Sequence, residues 1–164
     1  MLTIRPATPE DAPAISSILA GIAAEAVHSA IDRPWPAAAQ RRYLESLSPR
    51  EVFHVAIGDA GLVLGYQSLD RWSSVLNTMA HVGQIGTFLA PAARGQGIGR
   101  ALFAATVAFA RSHEYRKFVI TVRGSNLRAR RFYASLGFVE CGRLARQVVV
   151  AGVEDDEILM ESFL

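Results

Sequence analysis

The sequence predicts one α/β domain running through residues 1–164. Three observations point there. Strand-like apolar runs alternate with helix-like ones, and a glycine-rich turn joins one such strand to the helix after it. No low-complexity stretch, clear repeat or shift in composition marks a linker. With 51% hydrophobic residues, a chain of 164 can bury a substantial core without staples.

Each element has its own signal. Leu2 to Arg5 reads as a short strand. Pro9, Glu10 and Asp11 open a helix through Ala14, Ile18, Ile22 and Ala23, with acids in the first turn where the helix dipole favours them. Glu25 to Pro36 is a loop, and a second helix reaches about Leu47. Glu51 to Ile57 and Leu62 to Trp72 are strand-like, joined by a hairpin turn at Gly58-Asp59-Ala60-Gly61. A polar loop from Ser73 to Ala80 leads into a strand from Val82 to Leu89. A helix from Gly97 to Ser112 and a strand from Lys117 to Val122 follow. Asn126 to Leu136 is a helix closed by Gly137, which suits the left-handed position past a helix end. Phe138 to Arg143, Gln147 to Val150 and Glu157 to Phe163 are the closing strands, so antiparallel hairpins stand at both ends.

Several classes are excluded. No run of eighteen apolar residues suggests a membrane span, and Met1-Leu2-Thr3-Ile4-Arg5-Pro6 lacks the features of a secretory leader. A single cysteine, Cys141, rules out an internal disulfide and is expected to be a small core residue of a strand. His28, His54, His81 and His113 show no metal-ligand spacing, so no metal is implied, and the expected setting is the cytoplasm.

Chemistry enters at Arg94-Gly95-Gln96-Gly97-Ile98-Gly99, between a strand and a helix start. Such a turn presents backbone N–H groups with no internal partner beside the positive end of the helix dipole, which together make an anion site. Glycine lets the backbone approach a phosphate closely, and Arg94 and Arg100 add positive charge. The spacing differs from the dinucleotide fingerprint, and no Gly-Lys-Ser/Thr follows as in a triphosphate loop.

Charge is unevenly spread. Between Pro91 and Arg146 there are eleven Lys or Arg and two acids, Glu114 and Glu140, in a chain whose net charge is only +2. A polyanionic partner would explain this, and coenzyme A would suit Arg94, Arg100, Arg128, Arg130 and Arg131. Nucleic acid fits less well, because no basic run is interleaved with aromatics.

The glycine turn resembles the pyrophosphate loop of the GNAT superfamily of N-acetyltransferases, whose signature R/Q-x-x-G-x-G/A falls on Arg94, Gly97 and Gly99. Asn126 to Phe138 resembles the family's second signature, N-x-x-A-x-x-F/Y-Y-x-x-x-G-F. Ile4 to Ala12 and Asp156 to Met160 are similar to its first and last segments, so the resemblance covers nearly the whole chain. It implies a GNAT fold, a mixed, mostly antiparallel sheet of about seven strands flanked by about four helices. It also implies acetyl-CoA as cofactor and transfer of an acetyl group to a primary amine, on a small molecule or a peptide, by direct attack in a ternary complex. No nucleophile suited to an acyl-enzyme is evident.

By the same resemblance, Arg94, Gly95, Gln96, Gly97, Ile98, Gly99 and Arg100 would bind the pyrophosphate. The pantetheine arm would pair with the backbone of Phe88, Leu89 and Ala90 and contact Asn126 and Ala129. Tyr133 would be the general acid. A phenol of pKa about 10 is protonated at neutral pH, and giving its proton to a thiolate of pKa about 8.5 is uphill by only about 1.5 units. The strand position where family members often carry a Glu base holds Gln84, which cannot take a proton. A water chain at Gln84, or Glu25, His28 or His81, are the remaining options for the base. Specificity would come from the loops around Glu25 to Trp35 and Arg71 to Ala80. Trp35 and Trp72 either wall an apolar pocket there or pack the core. Asp32 or Asp70 would attract a cationic amine, Arg33 or Arg71 a carboxylate. Two other readings stay open: an acyl-CoA-binding regulatory module without turnover, and action on aminoacyl-tRNA. Exposed closing strands would also allow a homodimer.

Overall fold

The computed structural model describes residues 1–164. In chain order the elements are β1 (Thr3–Pro6), α1 (Ala12–Glu25), α2 (Ala37–Glu45), β2 (Val52–Ile57), β3 (Val63–Arg71), β4 (Val82–Leu89), α3 (Ile98–Ser112), β5 (Lys117–Arg123), α4 (Leu127–Ala134), β6 (Val139–Val150) and β7 (Val153–Phe163). The seven strands form one sheet in the order β1-β2-β3-β4-β5-β7-β6. Every neighbouring pair is antiparallel except β4 and β5. The expected mixed, mostly antiparallel sheet with four helices is therefore present.

Alternation along the strands divides the core between two faces. On one, Ile15, Leu19 and Ile22 of α1 and Leu44 of α2 cover Phe53, Val55 and Tyr66. On the other, α3 and α4 cover Leu69, Ile85, Phe118 and Ile120, with Ile158 and Met160 of β7 completing the layer. Leu102 of α3 is fully buried beside Ala56, Ala93 and Ile98. Leu102→Ala is expected to cost about 2–5 kcal/mol, read as a lower urea midpoint at unchanged slope.

The closing strands differ from the expectation of three short ones. β6 runs unbroken through Leu144 to Arg146, because the irregularity there is a bulge rather than an end. Arg146 takes φ 50°, and its N–H donates to Asp156 Oδ1 at 2.8 Å, which bridges the bulge. β7 begins early, at Val153, because Ala151 and Gly152 both take positive φ (51° and 78°), the geometry of a two-residue hairpin turn. Cys141 is exposed, which corrects its expected place in the core. It stands beside a second bulge on β6, the edge strand of the sheet, where little covers the strand.

What positions the site is the join between β4 and β5. These strands pair only at Val82–Gln84 with Lys117–Val119, and beyond that they diverge. A parallel pair separating partway opens a wedge through the sheet, with the backbone of β4 along one wall.

Candidate active site

A cleft of about 730 Å³ fills this wedge and extends to both faces of the sheet. On the α3 and α4 side it is lined by Arg94, Gly95, Gly97, Ile98, Gly99, Arg100, Arg128, Ala129, Phe132 and Tyr133. On the α1 side it is lined by His28, Ile31, Ser68, Asp70 and Gln84.

The glycine turn has the form that an anion site needs. Gly95 and Gly97 take φ 79° and 78°, left-handed values that side-chain-bearing residues rarely adopt, and Gly97 caps α3. Arg100 and Ala101 donate their N–H groups to Gly97 O at 3.0 and 3.1 Å. The N–H groups of Ile98 and Gly99, the first two residues of α3, have no acceptor within the helix. A phosphate fits these donors. Gln96 turns away from the cleft, its Nε2 donating to Ala92 O at 2.6 Å.

Arg94 has a protein partner. Its guanidinium donates twice to Glu25 at the end of α1 (2.8 and 2.7 Å), and its Nε donates to Leu89 O at 3.3 Å. Glu25 also meets His28 Nε2 at 2.9 Å. The Arg94 hydrogen bonds hold the Glu25 carboxyl below the usual glutamate range, which makes it a poor base at neutral pH.

The register of β4 on β3 decides which backbone groups face the wedge. Ala90 N donates to Leu64 O and Trp72 N to Val82 O, so residues 82, 84, 86, 88 and 90 bond toward β3. The N–H and C=O groups of Ile85, Thr87 and Leu89 point the other way, where no strand lies beyond Gln84. Of Phe88, Leu89 and Ala90, only Leu89 therefore offers backbone to an extended arm. Phe88 stacks its ring on Tyr66 at 5.0 Å, and Ala90 lies outside the cleft.

Asn126 begins α4 as its cap, with Oδ1 accepting from Ala129 N at 3.0 Å. Its Nδ2 donates to His28 O at 2.9 Å, so the side chain fastens the loop after α1 to the start of α4. Arg123 fastens the same loop, donating to Ala26 O and Val27 O at 3.1 Å and to Asp155 Oδ2 at 3.0 Å. Tyr133, on the next turn of α4, is buried, and its hydroxyl donates to Thr87 Oγ1 at 2.9 Å. Thr87 also accepts from Gln67 Nε2 at 2.7 Å. Burial pushes the Tyr133 phenol above its ordinary pKa, partly opposed by Thr87, so it stays protonated at neutral pH.

The α1 side of the cleft holds Gln84, with Asp70 directly across from it on β3. Burial raises the Asp70 carboxyl, and hydrogen bonds from Tyr43 and Ser68 pull partly the other way. Trp35 and Trp72 stand outside this group, half-exposed and away from the cleft lining. Trp35 instead meets Tyr43 edge-on at 5.2 Å. His81 stays outside too, as do Asp32, Arg33 and Arg71.

Part of the basic excess after Pro91 finds its counterpart in β7. Arg123, Arg143 and Arg146 pair with Asp155, Asp156 and Glu154, Lys117 pairs with Glu161, and Arg130 pairs with Glu140. Arg100 and Arg128 remain at the glycine turn and line the cleft.

Residues 21–138 match the model of the Acetyltransferase (GNAT) family. The N-alpha-acetyltransferase RimI of Mycobacterium tuberculosis (strain ATCC 25618 / H37Rv) is 33% identical over 123 residues, covering 75% of this chain and 73% of that protein. The phosphinothricin acetyltransferase (Pat) from Sinorhizobium meliloti, solved in complex with AcCoA, superposes with a TM-score of 0.91 at 22% identity over 99% of this chain and 88% of that one. The ribosomal-protein-alanine N-acetyltransferase from Brucella melitensis superposes with a TM-score of 0.84 at 26% identity, covering 99% of both chains.

Proposed function

The chain belongs to the acetyltransferase (GNAT) family, and we propose that it moves the acetyl group of acetyl-CoA to a cationic primary amine by direct attack, with both substrates in one cleft. One observation carries this reading. The cleft runs without interruption from the unpartnered N–H groups of α3, past the Tyr133 hydroxyl, to Asp70 and Gln84 on the far face. In this reading Gly97, Ile98, Gly99, Arg100 and Arg128 hold the phosphates, and Leu89 offers its backbone to the amide arm. The backbone N–H groups facing the wedge also supply donors for the developing oxyanion, an effect worth about 2.7–4 kcal/mol. Tyr133 gives its proton to the sulfur as the thioester breaks.

Direct attack is further supported by the position of Cys141. It lies on an edge strand outside the cleft, and slight local desolvation of its sulfur together with nearby Glu161 raises its thiol pKa, so it is a poor nucleophile. The ion pairs between the basic segment and β7 also favour a small or peptide acceptor over aminoacyl-tRNA, because they use up much of the charge that RNA would meet.

Thermal melting with acetyl-CoA, NAD and ATP tests the cofactor. At a hundred times its dissociation constant, acetyl-CoA should add about 2.7 kcal/mol, a rise of roughly 5–11 °C. Thiol release is then measured with spermidine, phosphinothricin and a peptide with an N-terminal alanine, the last two suggested by the relatives. Turnover of any of them supports transfer. A shift with acetyl-CoA and no thiol release would favour the regulatory module.

A further inference from the structure

An amine reaches the cleft at neutral pH as an ammonium and must lose a proton before it can attack a carbonyl. Among the cleft-lining residues, His28, Asp70 and Glu157 carry the side-chain atoms that could accept it. Glu157 is on β7, beyond β5 from the acceptor wall. His28 is held by Glu25 at 2.9 Å. Asp70 is on β3, directly opposite Gln84, and Ser68 opposite Gly86 continues the same face. Side chains at directly opposed strand positions are neighbours, so Asp70 borders the same acceptor space as Gln84. Tyr43 of α2 donates to its Oδ1 and fixes the carboxylate on that wall. Tyr43 is in turn braced edge-on between Trp35 at 5.2 Å and Phe53 at 5.7 Å.

We infer that Asp70 is the general base of this transferase, taking the proton of a cationic primary amine at the place where Gln84 cannot. The inference rests on the transferase reading above. Asp70 accepts one proton from the ammonium and later passes it to water. The neutral amine attacks, the C–N bond forms, and the C–S bond breaks. Tyr133 protonates the departing sulfur and regains a proton from the nitrogen. Ammonium and thioester thus give amide, thiol and one proton released to solvent.

The surroundings of Asp70 suit the task. A carboxyl held above its ordinary value by burial is a stronger base than a solvated one. The titratable groups facing it are Tyr43 on α2, Tyr66 on β3, Tyr115 ahead of β5 and Glu51 ahead of β2, the last paired with Arg71; His28 lines the same cleft. Burial raises the pKa of each of the three phenols, so none competes with Asp70 for a proton below pH 10.

Asp70→Asn keeps the shape and removes the base. With the fastest amine of the panel above, kcat/KM at pH 7 should fall about 10²–10⁴-fold, and the deficit should shrink as pH nears 10 and the amine arrives neutral. The acetyl-CoA melting shift should be retained. A second measurement needs no substrate: carbon-13 NMR of the Asp70 carboxyl in the free protein. It should titrate above the usual aspartate range, and Tyr43→Phe, which removes a bond favouring the charged form, should move it higher still. The low-pH limb of kcat/KM should move with it. If wild type turns over an amine and Asp70→Asn has the same rate, or loses the same factor at every pH, the base assignment is overturned while the transferase reading stands. An ordinary aspartate titration, unmoved by Tyr43→Phe, overturns it as well. If wild type releases no thiol with any amine, the transferase reading falls first, and the base role falls with it.

Discussion

Tyr133→Phe is expected to lower kcat at least a hundredfold while leaving the dissociation constant of acetyl-CoA within about twofold. The substitution removes one oxygen and little else. The ring keeps its edge contacts with Phe132 at 5.1 Å and Phe138 at 5.3 Å, so the melting temperature should hardly move. Thr87 keeps its bond from Gln67 Nε2, so the strand beneath is not left with an unpaired hydroxyl. In the proposed mechanism what is lost is a proton donor needed only as sulfur leaves, and an interaction made only in the transition state appears in kcat. Single-turnover thiol release checks this directly, since it separates chemistry from product release. Unchanged turnover in the variant would remove Tyr133 from the mechanism and leave it as packing.

Gly97→Val should act on the other half of the reaction. A β-branched side chain at φ 78° is strained, so the turn would rotate and carry the N–H groups of Ile98 and Gly99 off their line. Hydrogen bonds to a charged group are worth about 1.5–3 kcal/mol each, so losing one should weaken acetyl-CoA binding about ten- to hundredfold by calorimetry. A Cβ at Gly97 meets nothing within 4 Å, so the effect would come from the backbone rather than from a steric clash in the folded protein. The global unfolding midpoint should therefore fall only slightly. An unaltered dissociation constant would mean that the phosphates bind elsewhere.

The features legible in the sequence were those written in consecutive residues. The glycine turn at Gly95 and Gly97 and the helix stop at Gly137 are local, and each takes the conformation its residue type favours. The order of strands and helices follows from periodicity for the same reason. What stayed hidden depends on residues far apart in the chain. Glu25 and Arg94, 69 positions apart, meet only once α1 lies over the end of β4, so no local signal marks Arg94 as already paired. Asp70 and Gln84 become neighbours through the register of β3 on β4. That register also turns the backbone groups of Leu89 toward the wedge and those of Phe88 toward β3. Cys141 reads as a core residue because it is small and stands in a strand-like run; its exposure follows from the placement of β6 at the sheet edge, a property of strand order. The acids of β7 look like solvent-facing charge until β7 is seen between the basic residues of β5 and β6.

The placement of β7 between β5 and β6 also bears on the order in which the protein can assemble. β1 to β4 follow one another across the sheet, so each can add to its predecessor as it emerges from a ribosome. β5 pairs with β4 over only three positions, and its long partnership of seven positions is with β7. Until β7 arrives, β5 has one edge bare and the other paired at three positions, β6 has no partner in the sheet, and the layer holding Phe118, Ile120 and Tyr133 lacks Ile158 and Met160. A nascent chain stopped before Val153 would therefore present an open strand edge and half a core, the kind of surface that recruits chaperones or pairs with another chain. The wall of the cleft formed by β5 and α4 would settle last, so catalytic competence and the final step of folding should coincide.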